Sequence, residues 1–329
     1  MRVCLIGTSN AMYRDGYAGA IRSDPRVSYF ENHSVGASPS TIVPMFGSSI
    51  DFSKFDFVVV DTAINDRHFY INDAITPERI RENIKWLIER ASVAGCRTAL
   101  LIMPTRHLMG RETLSGRIYL DYASKASALF DGFDFIRSYS LATGQGVGSL
   151  FSDDFHIKRP IAQILGKALV AKIASAMTTS LVRARLSADF VRLDEGSILA
   201  PSIERENSAF TLRFAALSHS QEAEVDGLNP GDEVVGLSYN AAATSANLLI
   251  SSENEVVKNL STPFYSSGKS LLLNVVPLIQ SCRIGADGRL RLSTTMQGAT
   301  EHSRFKRASD PAAPDGFVEL ASVLVRRAI

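Results

Sequence analysis

The chain has 329 residues, of which 45% are hydrophobic and 21% are charged, and its formal net charge is +1. This length suits one long domain or two ordinary ones, and the composition is typical of a water-soluble globular protein. A net charge so close to zero argues against a surface dominated by contacts with nucleic acid or with an anionic membrane. The charge balance therefore points to no particular macromolecular partner.

Three cysteines, Cys4, Cys96 and Cys282, stand in or beside apolar runs, and their spacing does not resemble a metal site. An odd number without pairs predicts small core side chains in a reducing compartment. The amino terminus lacks the ordered parts of a secretory signal, and no apolar run approaches the roughly 18 residues that span a bilayer. We therefore expect a cytoplasmic protein with no membrane span, no metal and no cofactor.

The first half of the chain alternates strand-like and helix-like segments. The segment 76–95 shows the helical pattern well, with Thr76 as N-cap, Pro77 at the first helical position and Gly95 as the stop. The predicted strands are 3–6, 26–32, 55–66, 97–104 and 133–139, and the predicted helices are 76–95, 117–130 and 160–177. Such alternation predicts an α/β domain in which helices cover both faces of a parallel sheet.

After about residue 185 the pattern changes to short apolar segments separated by turn sequences such as NPGD, SSGK and GADG. This spacing predicts an antiparallel β domain, either a sandwich or a jelly roll, without clear helices. We therefore predict two domains, an α/β domain over residues 1–185 and a β-rich domain over residues 186–329.

Small and polar residues follow several of the predicted strands. The sequence GTSN places Ser9 after the first strand, Gly36 follows the second, and Asn65 ends the third. Asp153 precedes His156 by three residues, just before the last predicted helix. Because parallel strands end at the same edge of a sheet, these loops can converge on one site.

These residue types are the ones that acyl transfer needs. A serine hydroxyl becomes nucleophilic when an imidazole takes its proton, and a carboxylate holds that imidazole in the required tautomer. The spacing D-x-x-H favours Asp153 over Asp154 as the partner of His156. The Ser9 and Gly36 backbone N–H groups and the Asn65 amide are candidate donors to an oxyanion.

In this order the residues resemble the four sequence blocks of the SGNH (GDSL-like) hydrolase superfamily, over residues 1 to about 180. The resemblance implies a flavodoxin-like three-layer α/β/α sandwich. It also implies Ser9 as nucleophile and oxyanion donor, and Gly36 and Asn65 as further donors. His156 would be the base and Asp153 its partner.

The sequence departs from the family pattern at four positions. Thr8 and Asn10 stand where the family usually has aspartate and leucine, and Ala63 stands where it usually has glycine. Ile157 follows the candidate base, where the family often has proline. These changes alter the surroundings of the site and leave Ser9, His156 and Asp153 in place.

Further polar residues near the blocks are candidate substrate contacts. They are Asn10, Arg67, His68, Arg106 and His107. For the last four, a solvated loop position accounts for the sequence equally well. Asp66, next to Asn65, is expected to brace its loop rather than to react.

The leading hypothesis is a serine esterase that removes a small acyl group, expected to be acetyl, from a carbohydrate or related metabolite. Its partner would be a small-molecule or glycan ester. The first alternative is an O-acyltransferase that passes the acyl group to a sugar or polysaccharide hydroxyl with the same residues. The second is a non-catalytic glycan-binding protein. The oligomeric state is open, a homo-oligomer included.

Overall fold

The structure is a computed structural model that describes residues 1–109, 111, 113–178, 181, 184–207, 211–218, 221–262, 270–301 and 316–327. The chain forms two compact units. The first comprises Met1–Val43, Ile50–Arg67 and Ile80–Ser187, and the second comprises Pro44–Ser49, His68–Arg79 and Ala188–Ile329. Two segments of the first half of the chain therefore belong to the second unit, whereas the sequence pattern assigned them to the first domain.

The first half of the chain supplies one sheet and eight α-helices among the residues that are described. The strands are β1 (Arg2–Gly7), β2 (Tyr29–Asn32), β3 (Phe57–Asp61), β4 (Arg97–Ile102) and β5 (Ala128–Asp131). The helices are α1 (Ser9–Met12), α2 (Tyr17–Ser23), α3 (Ile42–Gly47), α4 (Ala63–Tyr70), α5 (Pro77–Val93), α6 (Leu114–Asp121), α7 (Gly132–Thr143) and α8 (Arg159–Ser175).

The strands pair in the order β2-β1-β3-β4-β5, and every pairing is parallel. This is the flavodoxin-like order, in which ligands bind at the carboxyl ends of the strands where the order reverses. Here the reversal is at β1, which lies between β2 and β3, with Gly7 opposite Asp61. Alternate residues of β1, such as Val3 and Leu5, join a buried core with side chains of α2 and α8. The predicted α/β fold class is confirmed.

One predicted strand and part of one predicted helix are wrong. Residues 133–139, predicted as a strand, lie in α7, and β5 lies at the end of the predicted helix 117–130. The Asp131 side chain accepts hydrogen bonds from the backbone N–H groups of Phe133 (2.8 Å) and Asp134 (3.4 Å). This N-cap starts a helix directly after the strand, because it satisfies donors that have no partner within the first turn.

The second unit holds two antiparallel sheets. Its strands are β6 (Asp189–Asp194), β7 (Ser202–Glu206), β8 (Thr211–Leu217), β9 (Glu222–Glu224), β10 (Glu233–Asn240), β11 (Asn247–Ser251), β12 (Glu255–Asn259), β13 (Leu273–Arg283), β14 (Arg291–Thr295) and β15 (Val318–Arg327). One sheet has the order β13-β10-β15-β8-β7, with β6 also paired to β15, and the other has the order β12-β11-β14-β9. The predicted antiparallel β fold of this half is confirmed.

The segment Pro44–Ser49 packs within this second unit. The Ser322 hydroxyl lies 3.2 Å from Met45 Sδ, and the Arg192 guanidinium lies 5.2 Å from the centre of the Phe46 ring. These contacts explain why a segment from the first half of the chain belongs to the β unit.

Within the described part of the chain, one helical stretch, Arg159–Thr178, is long and apolar enough to cross a membrane by length and composition. It comprises α8 and the turn that follows. Leu165, Leu169 and Ile173 of this helix are fully buried in the core of the first unit. Burial of this kind is what an apolar core helix requires.

Candidate active site

The candidate nucleophile lies in a tight connection between β1 and α1. Gly7 ends the strand, and a Cβ atom at that position would lie 2.9 Å from Ala11 Cβ and 3.1 Å from Ser34 Oγ. A side chain would therefore disturb the turn, which accounts for glycine here. The Ala11 N–H donates to the Thr8 carbonyl (3.0 Å) and starts the helix. This connection places Ser9 at the carboxyl edge of the sheet, beside the strand-order reversal.

Ser9, His156 and Asp153 form a continuous hydrogen-bonded relay. Ser9 Oγ lies 3.0 Å from His156 Nε2. His156 Nδ1 lies 2.9 Å from each carboxylate oxygen of Asp153. With Nδ1 protonated toward Asp153, Nε2 is free to accept the serine proton. The arrangement can activate a serine hydroxyl as a nucleophile.

The loop that carries the acid and the base is closed on itself. Phe151 and Ile157 pair as an antiparallel bridge across it. The Ser152 N–H donates to the His156 carbonyl (2.9 Å). Because both ends of the loop are fixed, the two side chains keep their relative position.

Backbone donors fix the carboxylate of Asp153 in turn. Its Oδ1 accepts the N–H groups of Phe155 (2.7 Å) and His156 (2.8 Å). Burial alone would raise the pKa of Asp153, but the hydrogen bonds from Phe155 and His156 outweigh burial and lower that pKa. The carboxylate therefore stays ionised at neutral pH and favours a proton on the nearby ring nitrogen.

Arg106 and His107 pack on this loop. Arg106 Nε and Nη2 lie 2.9 Å and 2.6 Å from Asp154 Oδ1, and the Arg106 N–H donates to the Asp154 carbonyl (3.0 Å). The rings of His107 and Phe155 meet edge to face at 5.4 Å. Asp154 is therefore paired with Arg106, while Asp153 is paired with the histidine. The predicted substrate contacts of Arg106 and His107 stay predictions.

Tyr13 contacts the loop 151–157, and sequence reasoning did not select it. Its ring lies 5.8 Å from the His156 ring at an angle of 80°, an edge-to-face contact. The Arg159 guanidinium lies 4.4 Å from the centre of the Tyr13 ring and also pairs with Asp15. The sequence offers no local signal for this contact, because Tyr13 lies just after the end of α1 and its backbone is extended.

Gly36 and Asn65 belong to one connected group beside Ser9. A Cβ atom on Gly36 would lie 4.0 Å from Ser9 Cβ and 3.4 Å from Met12 Sδ. The Asn65 amide, which is 6% exposed, donates to the carbonyl of Ser38 (3.0 Å), two residues after Gly36. An amide has two N–H groups, so this bond orients Asn65 and leaves the second N–H for another acceptor.

No protein-family model and no curated protein matches the chain. Among solved structures, a two-domain esterase active on acetylated mannans matches with a TM-score of 0.63 and 12% identity, over 98% of this chain and 90% of that chain. The same esterase co-crystallised with mannopentaose matches with a TM-score of 0.65 and 14% identity, over 100% and 92%. The chain shares the fold of this two-domain esterase. At such identities the likeness is one of fold.

Asn65 is a predicted oxyanion donor, and Asn65→Ala is expected to lower kcat for ester hydrolysis by about 10²–10³, the usual effect of removing one such donor. The measurement is steady-state kinetics on p-nitrophenyl acetate. Asn83→Ala is the matched control, because the buried Asn83 amide also bonds this loop, at Ser40 Oγ (3.2 Å). Equal losses in the two variants would mean that Asn65 acts only by supporting the loop.

Two buried carboxyl groups lie below the site, at and after the end of β3. Asp66 accepts hydrogen bonds from the Ser40 N–H (2.6 Å) and the Thr62 hydroxyl (3.0 Å), and so braces the loop as the sequence suggested. Asp61 accepts a hydrogen bond from the Tyr17 hydroxyl (2.8 Å). Burial raises the pKa of each carboxyl group to about 7.

The Asp61 carboxyl group is expected to make stability fall as pH rises. An acid whose pKa is higher in the folded state binds more protons there, so its contribution is fully present below about pH 4 and is lost through about pH 7. Asp61→Asn cannot ionise and still accepts from Tyr17. Between pH 5 and pH 8, urea unfolding should show the variant losing about 2 kcal/mol less stability than the wild type. Identical pH slopes would contradict this.

Asn10, Arg67 and His68 are the remaining candidate substrate contacts. The Asn10 amide lies 3.4 Å from the Phe155 carbonyl and so connects α1 to the loop 151–157. Arg67 is partly exposed on α4 within the first unit. His68 belongs to the second unit, where its carbonyl accepts the Asn72 amide (2.7 Å).

The described residues contain no group of three or more histidine, cysteine, aspartate or glutamate side chains arranged to hold a metal ion. The three cysteines are free and buried.

Proposed function

We propose that the chain is an SGNH-type serine esterase that removes a small acyl group from a carbohydrate. Acetyl is the first candidate for this acyl group. One observation carries the proposal, the relay in which Ser9 Oγ lies 3.0 Å from His156 Nε2 and His156 Nδ1 lies 2.9 Å from Asp153. The shared fold of a two-domain esterase supports it.

In the proposed reaction, Ser9 Oγ attacks the ester carbonyl while His156 Nε2 takes the hydroxyl proton. The backbone N–H groups of Ser9 and Gly36 and the Asn65 amide would stabilise the oxyanion. The bond between the acyl carbon and the sugar oxygen then breaks, and the sugar oxygen takes the proton from His156. Water, deprotonated by His156, attacks the acyl-enzyme, releases the carboxylic acid and restores Ser9. Asp153 keeps the ring oriented and stabilises its protonated form.

The proposed substrate class is an O-acetylated sugar. The solved structure with the same two-domain fold is an esterase active on acetylated mannans. The small net charge of this chain is compatible with a carbohydrate ester and gives no reason to expect a polymeric anion.

A fluorophosphonate probe, read by intact mass, tests the proposed nucleophile. We expect one adduct on the wild type and none on Ser9→Ala or His156→Ala, since labelling needs an activated serine. Release of acetate from acetylated oligosaccharides, with and without an added unacetylated sugar, then separates hydrolysis from transfer. Folded wild type that takes no adduct and releases no acetate would overturn the proposal.

A further inference from the structure

The two hydrogen bonds of the relay leave one motion of the His156 ring unrestrained. Its Nε2 lies 3.0 Å from Ser9 Oγ, and its Nδ1 lies 2.9 Å from the Asp153 carboxylate. These two contacts define a line through the ring, and the ring can still tilt about that line. The His156 side chain is 22% exposed, so close packing does not hold it on every side. A third contact away from the line would fix the plane of the ring.

Tyr13 makes a contact of this kind. The centres of the Tyr13 and His156 rings lie 5.8 Å apart, and the ring planes meet at 80°. Edge-to-face pairs at this distance are a favoured arrangement of two rings, and they are directional. Among the residues that the structure describes, the Tyr13 hydroxyl has no hydrogen-bond partner. The ring of Tyr13, rather than its hydroxyl, is therefore what acts on His156.

Tyr13 is in turn held by the start of α8. The Arg159 guanidinium lies 4.4 Å from the centre of the Tyr13 ring, a distance at which a cation is attracted to an aromatic face. Arg159 also pairs with Asp15, and the Gln163 amide donates to the Asp15 carbonyl (3.0 Å). The turn that carries Tyr13 is therefore connected to the first residues of the helix that follows the His156 loop.

We propose that Tyr13 is a positioning residue that holds the plane of the His156 ring, chiefly in the second half of the proposed reaction. In the acyl-enzyme, Ser9 Oγ is bonded to the acyl carbon and its proton has left with the sugar oxygen, so it cannot donate to Nε2. Asp153 and Tyr13 are then the contacts that hold the ring while Nε2 takes a proton from the attacking water. A displacement of about 1 Å at such a step can cost about 10²-fold in rate.

Turnover of p-nitrophenyl acetate by the full chain tests this role, which rests on the proposed function. The measurements are kcat and the fraction of acetylated enzyme, read by intact mass after rapid quenching. The substrate concentration is one at which a small part of the wild type is acetylated. For Tyr13→Ala we expect kcat to fall about tenfold or more and the acetylated fraction to rise, because hydrolysis of the acyl-enzyme slows more than its formation.

Tyr13→Phe keeps the ring and should restore both values to within about twofold of the wild type. Tyr13 is partly exposed, so neither change opens the core. Tyr29→Ala is the matched control, because Tyr29 contacts the Phe55 ring at 5.9 Å and lies at the first residue of β2, at the opposite end of the sheet. A fall in kcat without a rise in acetylated enzyme, or equal losses in Tyr13→Phe and Tyr13→Ala, would overturn the inference.

The resting protein supplies a second test that needs no turnover. NMR of protein with ¹⁵N-labelled histidine follows the Nδ1–H proton of His156, which is identified by its loss in His156→Ala. We expect this proton to exchange with water about tenfold faster in Tyr13→Ala than in the wild type or Tyr13→Phe, because a tilting ring breaks its bond to Asp153.

The two tests separate this inference from the proposed function, which Ser9-dependent turnover reports alone. Faster exchange in Tyr13→Ala without Ser9-dependent turnover of the wild type would leave the hold on the ring standing and overturn the esterase. Ser9-dependent turnover with equal exchange in all three proteins would leave the esterase standing and overturn the role of Tyr13.

Discussion

Ser9→Ala is expected to lower kcat for ester hydrolysis by about 10⁵–10⁶, the scale seen when a catalytic serine is removed. Ser9 Oγ is the hydroxyl that His156 Nε2 contacts, at 3.0 Å, and alanine leaves the imidazole with no nucleophile to activate. Substrate binding should change little, because the proposed oxyanion donors and the surrounding loops stay in place.

The matched control is Ser34→Ala. Ser34 Oγ lies beside the same Gly7 turn but donates to Asn32 Oδ1 (2.5 Å), so activity should stay within a few-fold of the wild type. Single-turnover and steady-state kinetics on p-nitrophenyl acetate measure both variants. Ser9→Ala that keeps a tenth of wild-type activity would rule out Ser9 as the nucleophile.

Asp153→Asn is expected to lower kcat by about 10⁴, the scale seen when a triad carboxylate becomes an amide. An asparagine amide N–H facing His156 Nδ1 donates a hydrogen bond to that nitrogen, whereas the aspartate accepts one from it. The ring then carries its own proton on Nε2 and cannot accept the Ser9 proton. The 2.9 Å contacts of both carboxylate oxygens with Nδ1 make this residue the one that fixes the tautomer.

Asp154→Asn tests the same chemical change one residue away. Asp154 pairs with Arg106 (2.6 Å), so the amide should loosen the support of the loop and lower kcat by less than about tenfold. The measurement is kcat over pH 5–9 for both variants. Comparable losses would show that the loop, rather than the carboxylate at Asp153, is what the reaction needs.

The sheet could be predicted from the sequence where strands are continuously buried. The run 3–6 is apolar throughout and lies in β1. The prediction of a strand at 133–139 was wrong, because aromatic residues at alternate positions fit a strand as well as a helix. The Asp131 cap decides in favour of the helix, and its effect depends on where β5 ends.

The candidate relay was predictable because its chemistry restricts both residue type and spacing. The D-x-x-H spacing brings Asp153 to His156 within a single loop. The pairing of Arg106 with Asp154 joins residues 48 apart, and the contact of Tyr13 with His156 joins two loops of the fold. Such contacts depend on the tertiary arrangement, which one sequence does not encode in any local pattern.

The division of the chain also limits how the protein can be cut. The polypeptide passes from one unit to the other five times, at 43/44, 49/50, 67/68, 79/80 and 187/188. Truncation at residue 187 would remove Ser322, whose hydroxyl contacts Met45. It would also remove Ser281, whose hydroxyl accepts a hydrogen bond from Arg79 at 3.0 Å. The β unit is therefore not a detachable module added to the carboxyl terminus. Such interleaving makes clean excision or exchange of either unit impossible at a single junction.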